Sequence, residues 1–121
     1  MGGTVKAEEN GVLCIAPGTA PQSVTVDCGE SGSTLRFLIP VFSALGIEAT
    51  FVGHGRLPER PIGVYTDLLP QHGVTVETAG GLPFHITGKL QSGDFRVPCN
   101  ISSQFITGLL FALPLLKKDS T

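Results

Sequence analysis

Charge is scarce in this sequence. Lys, Arg, Asp and Glu make up 15% of 121 residues, and the formal net charge is −2. A nonspecific nucleic-acid binder would be basic, so that class is excluded. Disorder is excluded as well, because it requires high net charge with low hydrophobicity, and 41% of this chain is hydrophobic. No apolar run approaches the roughly 18–20 residues of a membrane helix, so no membrane partner is expected. No basic-then-apolar leader is visible, which predicts no signal peptide and a cytoplasmic location. Cysteine is sparse too. Cys14, Cys28 and Cys99 are odd in number and lack CxxC spacing, against a disulfide framework or a zinc site. They are expected to be buried small hydrophobes in a reducing compartment. Asn100-Ile101-Ser102 fits a glycosylation sequon but stands in no secretory context.

What is present is apolar and well punctuated. Sixteen Gly and nine Pro fall between apolar runs rather than in repeats. The length fits one domain. A mean hydropathy of +0.27 is high for so small a domain, and predicts that part of the surface is covered by something else. Val5–Glu9 and Val12–Ala16 flank Asn10-Gly11, a strong hairpin signal. Ser23–Cys28 reads as a strand ending at a Gly-rich turn. Thr34–Leu45 reads as a helix terminated by Gly46, with Pro40 either kinking it or marking its early turns. Ile47–Val52 is a strand, and Pro61 suits the first turn of a helix over Ile62–His72, stopped by Gly73. Val74–Thr78, Pro83–Thr87 and Lys89–Val97 read as extended, and Ser102–Leu116 as a helix ending at Lys117-Lys118.

The pattern is α/β (α+β): strand-helix-strand-helix-strand-strand, with a hairpin before it and a helix after it. Helices 34–45 and 102–116 are apolar nearly all round, the mark of buried helices. Helix 62–72 carries Asp67, Gln71 and His72 and can face solvent.

Three loop-to-helix junctions hold the polar residues that packing does not explain. Asp27-Cys28-Gly29-Glu30-Ser31-Gly32-Ser33-Thr34-Leu35-Arg36 aims free amides and the positive end of a helix at an anion, with Arg36 adding charge. It lacks the lysine of a P-loop, which disfavours nucleotides. Arg56 and Arg60 stand four residues apart and can fork a phosphate or carboxylate, with Arg60 biased to extended backbone by Pro61. Asn100-Ile101-Ser102-Ser103-Gln104 opens the last helix with two hydroxyls and an amide. A plain capped helix is the alternative at the first junction, an N-cap serine with a polar neighbour, the commoner use of Ser there, at the third, and two surface arginines, one paired with Glu59, at the second. His54, His72 and His85 share no ligand spacing, so no metal is expected. No Ser/His/Asp set, Cys/His set or carboxylate pair is present. Together the junctions point to a polyanionic small molecule held by backbone, hydroxyl and arginine donors.

At the same three junctions the chain resembles the 5-enolpyruvylshikimate-3-phosphate (EPSP) synthase family. Gly32-Ser33-Thr34-Leu35-Arg36 is similar to its Asn-Ala-Gly-Thr-x-x-Arg segment, and Arg56-Leu57-Pro58-Glu59-Arg60-Pro61-Ile62 to its Arg-x-x-x-Arg-Pro-Ile segment. Ser102-Ser103-Gln104-Phe105, followed by Leu109-Leu110 and Pro114, is similar to its Ser-Ser-Gln-Phe/Tyr helix. The resemblance implies transfer of the enolpyruvyl group of phosphoenolpyruvate to the 5-hydroxyl of shikimate 3-phosphate, in the shikimate pathway of aromatic amino-acid biosynthesis. It implies no cofactor, and glyphosate as an inhibitor in the place of phosphoenolpyruvate. By matching positions, Gly32, Arg60 and Gln104 would bind phosphoenolpyruvate. Ser102, Ser103 and Gln104 would bind shikimate 3-phosphate, and Arg36 would support the site.

The implied fold is a βαβαββ unit of the enolpyruvyl transferase fold, with buried apolar helices packed against small mixed sheets. Residues 1–22 would be the end of one unit, 23–98 a complete unit and 99–121 the start of the next. Glu30 stands where the family has Asn, which brings a carboxylate close to an anion site. The family's N-terminal Lys-Ser…Arg segment and the acidic and basic residues of its other domain have no counterpart. The chain is therefore expected to be an internal piece of the substrate-binding domain, with Met1 as a start placed mid-sequence, and inactive alone. UDP-N-acetylglucosamine enolpyruvyl transferase shares the fold, but Gly53–Glu59 lacks that family's loop cysteine or aspartate. A noncatalytic module that self-associates through an exposed apolar helix 102–116 is the reading of a different class.

Overall fold

The computed structural model describes every residue except Met1, Glu9, Asn10 and Cys99. The chain begins with a hairpin of β1 (Thr4–Ala7) and β2 (Leu13–Ala16), paired antiparallel from Thr4↔Ala16 to Ala7↔Leu13. Period-two alternation puts Val5, Ala7, Leu13 and Ile15 on one face. That face is uncovered, and both strands are exposed throughout. The Asn10 half of the expected turn and the end of the first strand at Glu9 lie outside the described residues; Gly11 takes a positive φ of 80° and its amide bonds the Glu8 carbonyl. Cys14 is exposed, not buried as expected, because this hairpin has no covering layer. Cys28 is buried, and Cys99 lies outside the described residues.

The main sheet runs β3-β4-β6-β5. β3 (Ser23–Asp27) and β4 (Glu48–Val52) are parallel, as a helical crossover allows; β6 (Phe84–Gly88) pairs antiparallel with β4 and with β5 (Val74–Thr78). Alternation gives the sheet one apolar face, with Ala49, Phe51, Val74, Phe84 and Ile86 buried. The opposite face carries Thr50, Thr75, Glu77 and His85. On it the His85 Nδ1 lies 2.8 Å from Thr50 Oγ1 and its Nε2 lies 3.6 Å from Glu48.

α1 (Gly32–Leu45) crosses from β3 to β4 on the apolar face. Ser31 caps it, accepting from the Thr34 amide at 3.1 Å, so the helix starts two residues before the expected Thr34. Gly46 ends it at φ 73°, as a left-handed C′ residue should. Phe42 anchors it to the sheet, its ring 5.8 Å from that of Phe51 and edge-on. Pro40 sits in the interior of the helix, not in its early turns.

α2 covers Gly63–Leu68 and passes into a 3₁₀ turn over Leu69–His72, rather than running as one helix from Ile62, because Pro70 has no amide to continue the ladder. α3 (Gln104–Ala112) likewise gives way at Pro114 to a 3₁₀ turn over Leu113–Leu115, short of the expected Leu116. α3 packs on α1 through Phe105, Leu109 and Ala112, all buried. Its other side is open, with Leu110 64% and Phe111 55% exposed, so only part of this apolar helix is buried. Segment 89–97 forms no strand. Leu90 donates to the Ser43 carbonyl and Gln91 to that of His72, which lays the segment across two helix ends.

Candidate functional site

The site forms where α1 and α3 begin. Gly32 is buried, and a Cβ built on it would lie 3.0 Å from Arg60 Nη1 and 3.3 Å from Arg36 Nη1. Glycine is therefore what lets two guanidiniums close over the first turn of α1. Ser31 satisfies the Thr34 amide with its hydroxyl and the Leu35 amide with its carbonyl. The amides of Gly32 and Ser33 take no bond from the described residues, and the positive helix end favours an anion there.

Arg60 follows a 3₁₀ turn over Leu57–Glu59 and has extended backbone, φ −75° and ψ 141°, as Pro61 requires of its predecessor. It is exposed. Arg56, Glu59, Arg60 and Pro61 line an open cavity of about 280 Å³. Glu59 pairs with neither arginine, and the one carboxylate within 4 Å of a basic side chain among the described residues is Glu48, beside His85.

Arg36 is only 6% exposed. Its Nη1 donates to Gln104 Oε1 at 2.7 Å and its Nη2 to the Pro61 carbonyl at 3.1 Å, while its buried Nε finds no partner. The guanidinium stacks over Phe105, 5.1 Å from the ring centroid. Burial, then the like charge of Arg60, pushes the pKa of Arg36 below its ordinary value. Two cations therefore meet at Gly32 with no carboxylate to neutralise them. Glu30 stays out of ion pairs, its carboxylate resting where a Cβ on Gly55 would be, with oxygens at 2.5 and 2.8 Å.

Gln104 joins the two helix starts, donating from Nε2 to Ser33 Oγ at 2.9 Å. Ser102 Oγ accepts from the Gln104 amide at 3.3 Å. Ser103 is exposed and its hydroxyl caps nothing.

The structure thus gathers Gly32, Arg36, Arg60 and Gln104 by direct contact and ties Ser102 to Gln104. Arg56 stands beside Arg60 on the cavity wall, and no contact joins Ser103 to the arginines. No group of three or more His, Cys, Asp or Glu among the described residues could hold a metal.

Ser33, which lies in the first junction, and Tyr65 also hold the site together, in roles that the sequence did not reveal. Pro40 has no amide, so the carbonyl of Arg36 loses its partner four residues on. The Tyr65 hydroxyl donates to it at 2.7 Å and lies 3.1 Å from the Phe105 carbonyl. Gly108 admits this close approach, since a Cβ there would meet the Arg36 carbonyl and come within 2.5 Å of the Tyr65 oxygen. An interior proline beside an otherwise apolar helix pair was the signal available in the sequence.

The comparisons with known proteins agree with this architecture. The profile described as EPSP synthase (3-phosphoshikimate 1-carboxyvinyltransferase) matches residues 1–121. The 3-phosphoshikimate 1-carboxyvinyltransferase of Clostridium kluyveri is 57% identical over 96 residues, covering 78% of this chain and 22% of the relative. That of Clostridium perfringens is 40% identical over 123 residues, covering 99% of this chain and 29% of the relative. A solved EPSP synthase from Acinetobacter baumannii superposes with a TM-score of 0.76 at 26% identity, over 99% of this chain and 29% of that one. The fold is that of an enolpyruvyl transferase unit. The chain belongs to the EPSP synthase family, and it spans between 22% and 29% of the length of these relatives.

Proposed function

We propose that this chain supplies part of the substrate surface of a 3-phosphoshikimate 1-carboxyvinyltransferase. The reaction moves the enolpyruvyl group of phosphoenolpyruvate to the 5-hydroxyl of shikimate 3-phosphate and releases phosphate. Arg36 and Arg60, converging on the start of α1 with no carboxylate between them, carry this reading. The Gly32 amide, Arg60 and Gln104 hold phosphoenolpyruvate, or glyphosate in its place; Ser102, Ser103 and Gln104 hold shikimate 3-phosphate. Residues 1–22 close one structural unit, 23–98 form a βαβαββ unit and 99–121 open the next. The chain alone binds without turnover. The reaction it serves is cytoplasmic.

Backbone amide titration with shikimate 3-phosphate and then phosphoenolpyruvate tests this. Shifts are expected at 32–34, Arg60 and 102–104, with weak affinity, since each ion pair in an open site is worth about 0–1 kcal/mol. Arg60→Ala should abolish the phosphoenolpyruvate shifts and keep the fold. Ser103→Ala should weaken shikimate 3-phosphate alone. Shifts scattered away from these residues, or phosphate release by the isolated chain, would refute the assignment.

The open side of α3 supports a second role. Leu110, Phe111 and Leu115 are exposed together, and we infer that a second copy of this chain covers them.

A further inference from the structure

The Gln104 side chain, at the start of α3, reaches two residues of α1, and its orientation is over-determined. A guanidinium can only donate, so the carboxamide oxygen must face Arg36 Nη1, 2.7 Å away. The nitrogen then faces Ser33 Oγ at 2.9 Å, which takes one of its two protons. The second proton has no partner among the described residues, and Gln104 is half-exposed. Arg36 is in turn held from three sides. The Pro61 carbonyl takes Nη2, the Phe105 ring lies under the guanidinium, and Tyr65 grips the backbone carbonyl that Pro40 leaves free.

We propose that Arg36 is a positioning residue that, with Ser33, locks the Gln104 carboxamide with its oxygen toward the guanidinium, so that Gln104 presents its NH₂ group to ligands. This rests on the functional reading above and adds a selection rule to it. An anionic oxygen, of a phosphate or a carboxylate, meets a proton at Gln104; a hydroxyl that needs an acceptor meets the same NH₂ group. Charge alone does not give this rule, because the planar fork of arginine spans Gln104 and Pro61 at once and an ammonium cannot.

The test compares the intact chain with R36K by following the Gln104 side-chain NH₂ group in ¹H–¹⁵N spectra. In the unchanged chain this group should be as rigid as the α3 backbone. In R36K it should become as mobile as that of exposed Gln22, with other amide shifts confined to the site. Affinity for shikimate 3-phosphate should fall about tenfold or more although the charge is kept. S33A, which leaves the core untouched, should loosen the same group if R36K fails to fold. A Gln104 amide that stays rigid in both variants overturns the proposal. Undiminished affinity in a variant whose Gln104 is mobile overturns it as well. If the unchanged chain binds neither shikimate 3-phosphate nor phosphoenolpyruvate, the functional reading fails, while the mobility comparison still decides whether Arg36 sets the orientation.

Discussion

Tyr65 shows how much one hydroxyl can hold. It replaces the hydrogen bond that Pro40 removes from α1, and its ring stands edge-on to Phe105, 4.9 Å between centroids. Tyr65→Phe keeps the ring and orphans a buried carbonyl, so it should cost about 1–3 kcal/mol in a denaturant titration. An unchanged midpoint and slope would show that water fills the gap. Burial also pushes the phenol's pKa upward, against the pull of Arg36. A raised native pKa means this contribution is full below the unfolded value of about 10 and is lost as pH rises through the native one. A spectrophotometric titration of the folded chain should accordingly show no phenolate at pH 10; half-ionisation there would place Tyr65 in solvent. The residues of the site differ in how legible they were. Gly32, Arg60 and Gln104 were marked by Gly-rich, Arg-Pro and Ser-Ser-Gln segments whose spacing is local. Ser33 lies in the same Gly-rich segment, but the roles of Ser33 and Tyr65 were not legible, because each acts on a residue far along the chain, Gln104 for the one and the Arg36 carbonyl for the other.

At the scale of elements, the pairing of α1 with α3 sets the distance between the site's two halves. Gly108 is the contact point, and Gly108→Ala would drive a methyl into backbone as well as into the Tyr65 oxygen. Overpacking of this kind costs about 1–3 kcal/mol. The strain should also part the helix starts, so the Gln104 and Ser33 resonances should move together; a stable variant with unshifted resonances would mean that the helices do not share this contact. The elements themselves were largely readable. Gly46 ended α1, Gly73 stopped the second helix, and β3 to β6 lie where strands were read, whereas α1 begins two residues before the expected Thr34 because Ser31 caps it. The other misreadings have two causes. Pro70 and Pro114 turn helix ends into 3₁₀ turns, which a helical apolar period does not distinguish. Segment 89–97 has strand composition but bonds to the Ser43 and His72 carbonyls, a choice made by tertiary contact and invisible in local pattern.

For the whole molecule, the main sheet and its helices form a core, while two apolar surfaces stay bare: the Val5, Leu13 and Ile15 face of the hairpin and the Leu110, Phe111 and Leu115 side of α3. High mean hydropathy with little charge foretold uncovered surface, and the all-apolar helix 102–116 foretold where part of it lies. The hairpin's share was not foreseen, since alternating strands read the same whether their apolar face is covered or bare. Sedimentation equilibrium should find a concentration-dependent dimer, and Phe111→Asp should return it to monomer without unfolding the core. A chain that is monomeric at every concentration refutes self-association and leaves this face to be covered by something other than a second copy.

The chain contains one tyrosine and no tryptophan. Its single strong near-ultraviolet chromophore is therefore the phenol wedged between the two helices that carry the site. Excited at wavelengths that the seven phenylalanines do not absorb, intrinsic emission from this protein is a one-residue signal. Light absorbed at Tyr65 reports the state of the α1–α3 junction directly, and no dye or label has to be attached to read it.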